Sequence, residues 1–135
     1  MNEILISDDK SKLDIGVIHQ FLTTSYWATG RSIEDVKKSI DNSICFGVFF
    51  NNKQIGFARI VTDYVVFAYV MDVFILEEYR GRGYSKLLMK RILDDERFLG
   101  IKKWMLATKD AHTLYSKFGF EALKNADRMM EKVVR

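Results

Sequence analysis

Apolar residues recur along the chain in two periods, and each change of period marks an element. Leu13, Val17, Ile18, Phe21 and Leu22 fall three to four residues apart, the spacing of an amphipathic helix, after a short run at Leu5 and Ile6 that reads as a first strand. Ser32 followed by Asp35 predicts the start of a second helix, with Ile33, Val36 and Ile40 on its apolar face. From Ile44 the period shortens. Ile44–Phe50 is β-branched and aromatic, Asn51–Gln54 is a polar turn and Ile55–Val61 a second run, together the signature of a β-hairpin. A third run, Val66–Leu76, ends at a glycine-punctuated turn, beyond which Tyr84, Leu87, Leu88, Arg91 and Ile92 return to helical spacing. Lys103–Thr108 then reads as a strand, Ala111–Phe118 as a short helix, and Phe120–Leu123 with Met129–Val134 as two closing strands. This order predicts an α+β fold, with a mixed, mostly antiparallel central sheet between layers of helix. The mid-chain hairpin argues against a doubly wound sheet, which needs repeated βα units. With no proline and no Gly/Ser-rich stretch to suggest a linker, residues 1–135 read as a single domain.

Composition narrows the class. A chain of 135 residues, 48% hydrophobic, can build a core without a structural metal, and its two histidines and single cysteine predict no metal site. Cys45 alone cannot form an internal disulfide and suits a reducing compartment; in the middle of an apolar run it reads as buried rather than nucleophilic. No basic region precedes a long apolar one at Met1–Ile6, and stretches such as Val65–Met71 fall far short of the ~20 residues that span a bilayer, so the expectation is a cytoplasmic protein with no membrane partner. The net charge of +3 hides an asymmetry: residues 1–79 carry 7 bases and 11 acids, residues 80–135 carry 14 bases and 7 acids. The second half therefore either faces an anion or carries solvated basic helix faces. It has no nucleic-acid motif, and its bases gather at one helix start rather than along a face, so no nucleic acid is expected as partner.

That helix start is the segment Arg80-Gly81-Arg82-Gly83-Tyr84-Ser85-Lys86, between the third run and the helix after it. Glycines let the backbone turn tightly and aim several N–H groups one way, and the helix N-terminus adds about half a positive charge, so the turn can hold a pyrophosphate. Arg80, Arg82 and Lys86 crowd the N-terminal end of the helix while Asp94, Asp95 and Glu96 crowd its C-terminal end, each group where the helix dipole disfavours it. Bases in that position make sense around a bound anion. The spacing fits neither a P-loop nor a dinucleotide fingerprint, and a plain structural turn also accounts for two glycines.

These residues resemble the pyrophosphate motif of the GCN5-related N-acetyltransferases, Arg/Gln-x-x-Gly-x-Gly/Ala; Arg80 to Ser85 matches it except that Ser85 stands at the last position. Leu114-Tyr115-Ser116-Lys117-Phe118-Gly119-Phe120 is similar to the family's late helix and the strand after it, and the resemblance is specific from about Ile44 onward. It implies transfer of an acetyl group from acetyl-CoA, as co-substrate, to a primary amine by direct attack. Arg80, Gly81, Arg82, Gly83, Tyr84 and Ser85 would then hold the pyrophosphate, and the backbone of Val73, Phe74 and Ile75 would pair with the pantetheine arm. Tyr115 would touch the cofactor and protonate the departing thiolate, since a phenol titrating near ~10 is protonated at neutral pH. Asp72, a lone acid in an apolar run, would face the acceptor as base, or pair with an arginine. Tyr26 and Trp27 lie where such enzymes place the acceptor, either flooring a pocket or packing on the sheet, and Asp63 at the turn before Tyr64 is a further acceptor-binding candidate. Asp110 reads as the cap of the short helix, His112 as solvated or as a proton relay, and His19 has no partner in the pattern. Pairing of two copies through the C-terminal strands would suit the family. The alternative from another class is a non-catalytic acyl-CoA-binding regulatory module.

Overall fold

Two consecutive asparagines set the middle of the sheet. In the computed structural model, which describes residues 3–134, strands β2 (Ile44–Phe50) and β3 (Lys53–Thr62) are joined by Asn51 and Asn52 alone. Both adopt positive φ, 48° and 71°, the left-handed conformation that asparagine tolerates and that a two-residue hairpin turn requires. The turn is shorter than the sequence suggests: Gln54 is buried in β3, where its side chain accepts from Asp14 N and donates to Gly56 O.

β1 (Ile4–Ser7) pairs antiparallel with β2, and β4 (Phe67–Ile75) antiparallel with β3. β5 (Lys103–Leu106) lies parallel to β4, completing a mixed sheet in the order β1-β2-β3-β4-β5. Helices α1 (Ile15–Thr24) and α2 (Ile33–Asp41) cover one face, and their Ile18, Leu22, Val36 and Ile40 bury against Cys45, Phe57 and Phe74. The caps explain where they begin: Asp14 accepts from Val17 N, and Ser32 from Asp35 N as its sequence predicts. On the other face α3 (Tyr84–Leu93) buries Leu88, Met89 and Ile92 over Phe46, Val48, Ile60 and Val70, beside the short α4 (His112–Ser116). The mixed sheet between helix layers is the fold expected.

The two closing strands are not. Among the described residues, Phe120–Leu123 and Met129–Val134 pair with no strand. Phe120 packs against Tyr115 at the edge of the core, but Leu123, Met129, Met130, Val133 and Val134 are in water, Met130 at 96% exposure, so no continuous buried face fixes a register for these segments. Met1, Asn2 and Arg135, within the span expected as one domain, lie outside the described residues. No described helix is long and apolar enough to cross a membrane.

Candidate active site

The opening in this sheet comes from a bulge and an early strand end. Between the pairs Phe57↔Phe74 and Arg59↔Met71, two residues of β4, Asp72 and Val73, oppose the single Ala58 of β3. Asp72 carries φ 55°, a left-handed conformation in mid-strand. β5 follows β4 only as far as Val70↔Leu106, so beyond that point β4 has β3 on one side and an open edge on the other. Below this edge lies a cleft of about 900 Å³ lined by β4 from Tyr69 to Ile75, by Leu106–Ala111, by Leu114 and Tyr115 of α4, and by Phe21, Tyr26, Trp27 and Arg31. Arg80 and Ser85 close its far end. Every residue from Val73 to Ile75 borders this space.

The glycine turn adjoins it. Gly81 and Gly83 both have left-handed φ, 78° and 82°, and a Cβ at either would meet open space. Gly83 is the N-cap of α3 and offers no side chain to cap it, and the backbone N–H groups of Gly81 to Lys86 have no partner among the described residues. They border a recess of about 260 Å³ lined by Arg80, Gly81, Gly83, Tyr84, Ser85 and Lys86. Arg80 Nε donates to Ile75 O at 2.8 Å, tying the turn to the end of β4, while the Arg82 guanidinium lies over the Tyr79 ring.

The charges at the two ends of α3 are handled differently. At the C-terminal end Lys90 pairs with Asp94 and Arg91 with Asp95. Asp95 also caps the following turn and binds Arg97, which holds its carboxyl far below the usual carboxylate range. At the N-terminal end Arg80, Arg82 and Lys86 have no carboxylate partner among the described residues. Lys117, just after α4, stands close enough to Lys86 for the second ammonium to hold its own pKa below the ordinary lysine value. Lys86 is one of the bases the sequence already sets around a bound anion; Lys117 is not legible there, because nothing in the spacing shows that α4 ends beside the start of α3.

Tyr115 is buried on α4, packed edge-on against Phe120, and lines the cleft. Burial pushes its pKa up, with smaller contributions from Tyr26 and Asp110, so the phenol keeps its proton throughout the neutral range.

The bulge brings Asp72 into contact with Trp27, Arg31 and Arg59. Its Oδ1 accepts from the Trp27 indole at 3.0 Å, and its Oδ2 from Arg31 Nη1 at 2.7 Å and Arg59 Nε at 2.9 Å. Both oxygens are therefore engaged, and the expectation of Asp72 as general base gives way to the other sequence-level reading, an arginine-paired acid. It is a positioning residue that fixes Trp27 and Arg31 on the cleft wall. Arg59 was missed from the sequence, although a lone arginine in the apolar run Ile55–Val61 and a lone aspartate in the next run signal a buried pair. Tyr26 and Trp27 do line the cleft: Tyr26 Oη accepts from Lys109 N, bridging the loop after α1 to the loop after β5.

Asp63 is elsewhere. It sits in the β3–β4 turn, where its Oδ1 accepts from the N–H groups of Val65, Val66 and Phe67 at 2.9, 2.9 and 3.2 Å. These bonds lower its pKa, and the acceptor-binding expectation for it is withdrawn. Asp110 does not cap α4; Thr108 Oγ1 accepts from Ala111 N instead. His112 is exposed, whereas His19, for which the pattern gave no partner, bonds through Nε2 to Arg31 O and steadies that loop. Among the described residues no group of acidic, histidine or cysteine side chains is placed to hold a metal.

Comparison with known proteins agrees with this geometry. The family model described as acetyltransferase (GNAT) domain matches residues 41–122, more than half the chain. The structure superposes on that of a GNAT-family protein from Xanthomonas campestris pv. campestris with a TM-score of 0.94 at 43% identity, covering 98% of this chain and 94% of the other. A protein from Clostridium acetobutylicum crystallised with acetyl-CoA has a TM-score of 0.69 at 16% identity, over 98% and 96% of the two chains. In sequence, the chain is 36% identical over 70% of its length to a ycf52-like protein of Prochlorococcus marinus named as an uncharacterized N-acetyltransferase, and spans about half, 54%, of that protein.

Proposed function

The chain belongs to the GNAT family of acetyltransferases, and from that premise we propose that it transfers the acetyl group of acetyl-CoA to a primary amine by direct attack within the cleft under β4. The observation that carries this reading is the open edge of β4 ending at the unpartnered N–H groups of Gly81 to Lys86. An extended amide-bearing arm fits an open strand edge, and a pyrophosphate fits a helix N-terminus flanked by Arg80 and Lys86, with Arg82 nearby over the Tyr79 ring. The backbone of Val73, Phe74 and Ile75 would pair with the pantetheine, and Arg80 to Ser85 would hold the phosphates.

The acyl carbon would then lie between Tyr115 and the Trp27–Arg31 side. The amine nitrogen attacks the thioester carbonyl carbon, the C–S bond breaks, and the amine loses a proton to water. Tyr115, kept protonated by its burial, hydrogen-bonds the sulfur as negative charge develops on it. A buried phenol is a weaker acid than a thiol, so stabilisation of the thiolate rather than outright proton donation is its main effect. Most of the rate would come from holding amine and thioester in contact. The test is thiol release from acetyl-CoA across a panel of amines. Turnover that falls 10-fold or more in Tyr115→Phe, with acetyl-CoA affinity retained, supports the reading; acetyl-CoA binding with no turnover for any amine contradicts it and leaves the non-catalytic acyl-CoA-binding module.

A further inference from the structure

Two guanidinium groups converge on one carboxylate at the acceptor end of the cleft, and they are not equally spent. Arg59 uses all three of its nitrogens: Nε on Asp72, Nη1 on Ser43 Oγ and Nη2 against the Met71 sulfur. The Arg31 guanidinium uses only Nη1, on Asp72, and none of its other N–H groups has a partner among the described residues. Its side chain is 21% exposed and lines the cleft, while that of Asp72 is 1% exposed. One carboxylate against two arginines leaves a surplus positive charge on this wall. Lys109 and Asp110 also line the cleft; they form no ion pair with each other, and the Lys109 ammonium lies over the Tyr26 ring. Asp72, 1% exposed and already accepting from three donors, is shielded from a second ammonium on the acceptor.

Resting on the acetyl-transfer reading, we propose that the acceptor is an amine that also carries a carboxylate, with the free edge of the Arg31 guanidinium binding that carboxylate. A guanidinium presents paired donors that match a carboxylate's two oxygens, and Asp72 and Arg59 hold the group in place before the ligand arrives. Phe21, Tyr26 and Trp27 beside it supply an apolar wall, so amino acids with hydrophobic bodies fit better than short polar ones. Polyamines fit less well, because an additional ammonium beside Arg31 would meet its surplus positive charge, while the unpaired acid that lines the cleft, Asp110, lies away on the loop after β5.

The experiment compares kcat/KM for matched acceptors, L-phenylalanine with L-phenylalaninamide and 4-aminobutyrate with 4-aminobutanamide, with spermidine alongside, in the wild type and in Arg31→Gln. The ratio of carboxylate to carboxamide, taken in both proteins, cancels the intrinsic difference in amine basicity. Arg59 keeps Asp72 paired in Arg31→Gln, and Arg31→Lys carries the comparison with charge but no planar fork should the glutamine variant fail to fold. The expected result is a ratio at least 10-fold higher in the wild type than in Arg31→Gln, with Arg31→Lys between them. An unchanged ratio, spermidine as the best acceptor, or no carboxylate binding or turning over in protein that binds acetyl-CoA would overturn the inference and leave acetyl transfer standing. Failure to bind acetyl-CoA at all would take both down.

Discussion

Replacing Asp72 by alanine removes the one carboxylate shared by Arg31, Arg59 and the Trp27 indole. Deleting one partner of a buried ion pair typically costs ~3–5 kcal/mol, because the other charge is left unpaired. Arg31 is a fifth exposed and can turn toward water, whereas Arg59, at 10% side-chain exposure, cannot, so the expected loss is about 3 kcal/mol. A second variant separates charge from backbone. Asp72 holds a φ of 55°, which glycine adopts freely and which costs alanine about 1 kcal/mol. Asp72→Gly should therefore be more stable than Asp72→Ala by about 1 kcal/mol, the reverse of the usual order of these residues in a strand. Urea unfolding followed by far-UV circular dichroism measures both, independently of the tryptophan whose bond is being cut. A loss below about 1 kcal/mol in Asp72→Ala, or an alanine variant as stable as the glycine one, would refute the buried network and the bulge geometry respectively.

Other groups make separate predictions. Burial pushes the Cys45 thiol up to about 11, so native protein at pH 8 should react with a thiol reagent orders of magnitude more slowly than unfolded protein; rapid native labelling would show that β2 does not bury it. Asp63, with its pKa lowered by three backbone N–H groups, contributes stability that is present above the ordinary carboxylate pKa and lost as the pH falls. Asp63→Ala should accordingly destabilise the protein at pH 7 more than at pH 3 while leaving the KM for the amine acceptor unchanged, and a large rise in that KM would return Asp63 to the acceptor site. For Tyr115 the sign is opposite: its pKa is raised on folding, so the stability it lends declines as the pH climbs above ~10, and Tyr115→Phe should flatten the alkaline limb of a stability–pH profile.

What the sequence shows of this protein is what depends on local spacing. The hairpin, the Ser32 cap and the glycine turn before α3 each rest on residues within a few positions of one another, and each forms as read. Gln54 was read as turn because it is polar; its place in β3 depends on Asp14, forty positions away. Of the apolar residues that suggest closing strands only Phe120 packs on the core among the described residues; the others are in water, and periodicity alone cannot tell a strand from an apolar tail in water. At the site, the glycine turn with its unpartnered N–H groups was legible because it is set by backbone geometry and by charges on one helix. The charged wall of the cleft was not. Asp72, Arg59, Arg31 and Trp27 come from three separate parts of the chain, and only the bulge in β4 turns Asp72 toward the other three. The fate of Asp63 was equally invisible, since a carboxylate that closes its own turn looks in sequence like one that faces a ligand.

The account depends most on acetyl-CoA binding along β4 with its pyrophosphate on the glycine turn. Calorimetric titration of acetyl-CoA into the wild type and into Gly83→Trp tests this directly, because a Cβ at Gly83 points into open space and an indole there would fill the anion's approach. Micromolar binding weakened at least 10-fold in a folded Gly83→Trp is the predicted result. Binding that is indifferent to the substitution, or no heat at any temperature with folded wild-type protein, would contradict it.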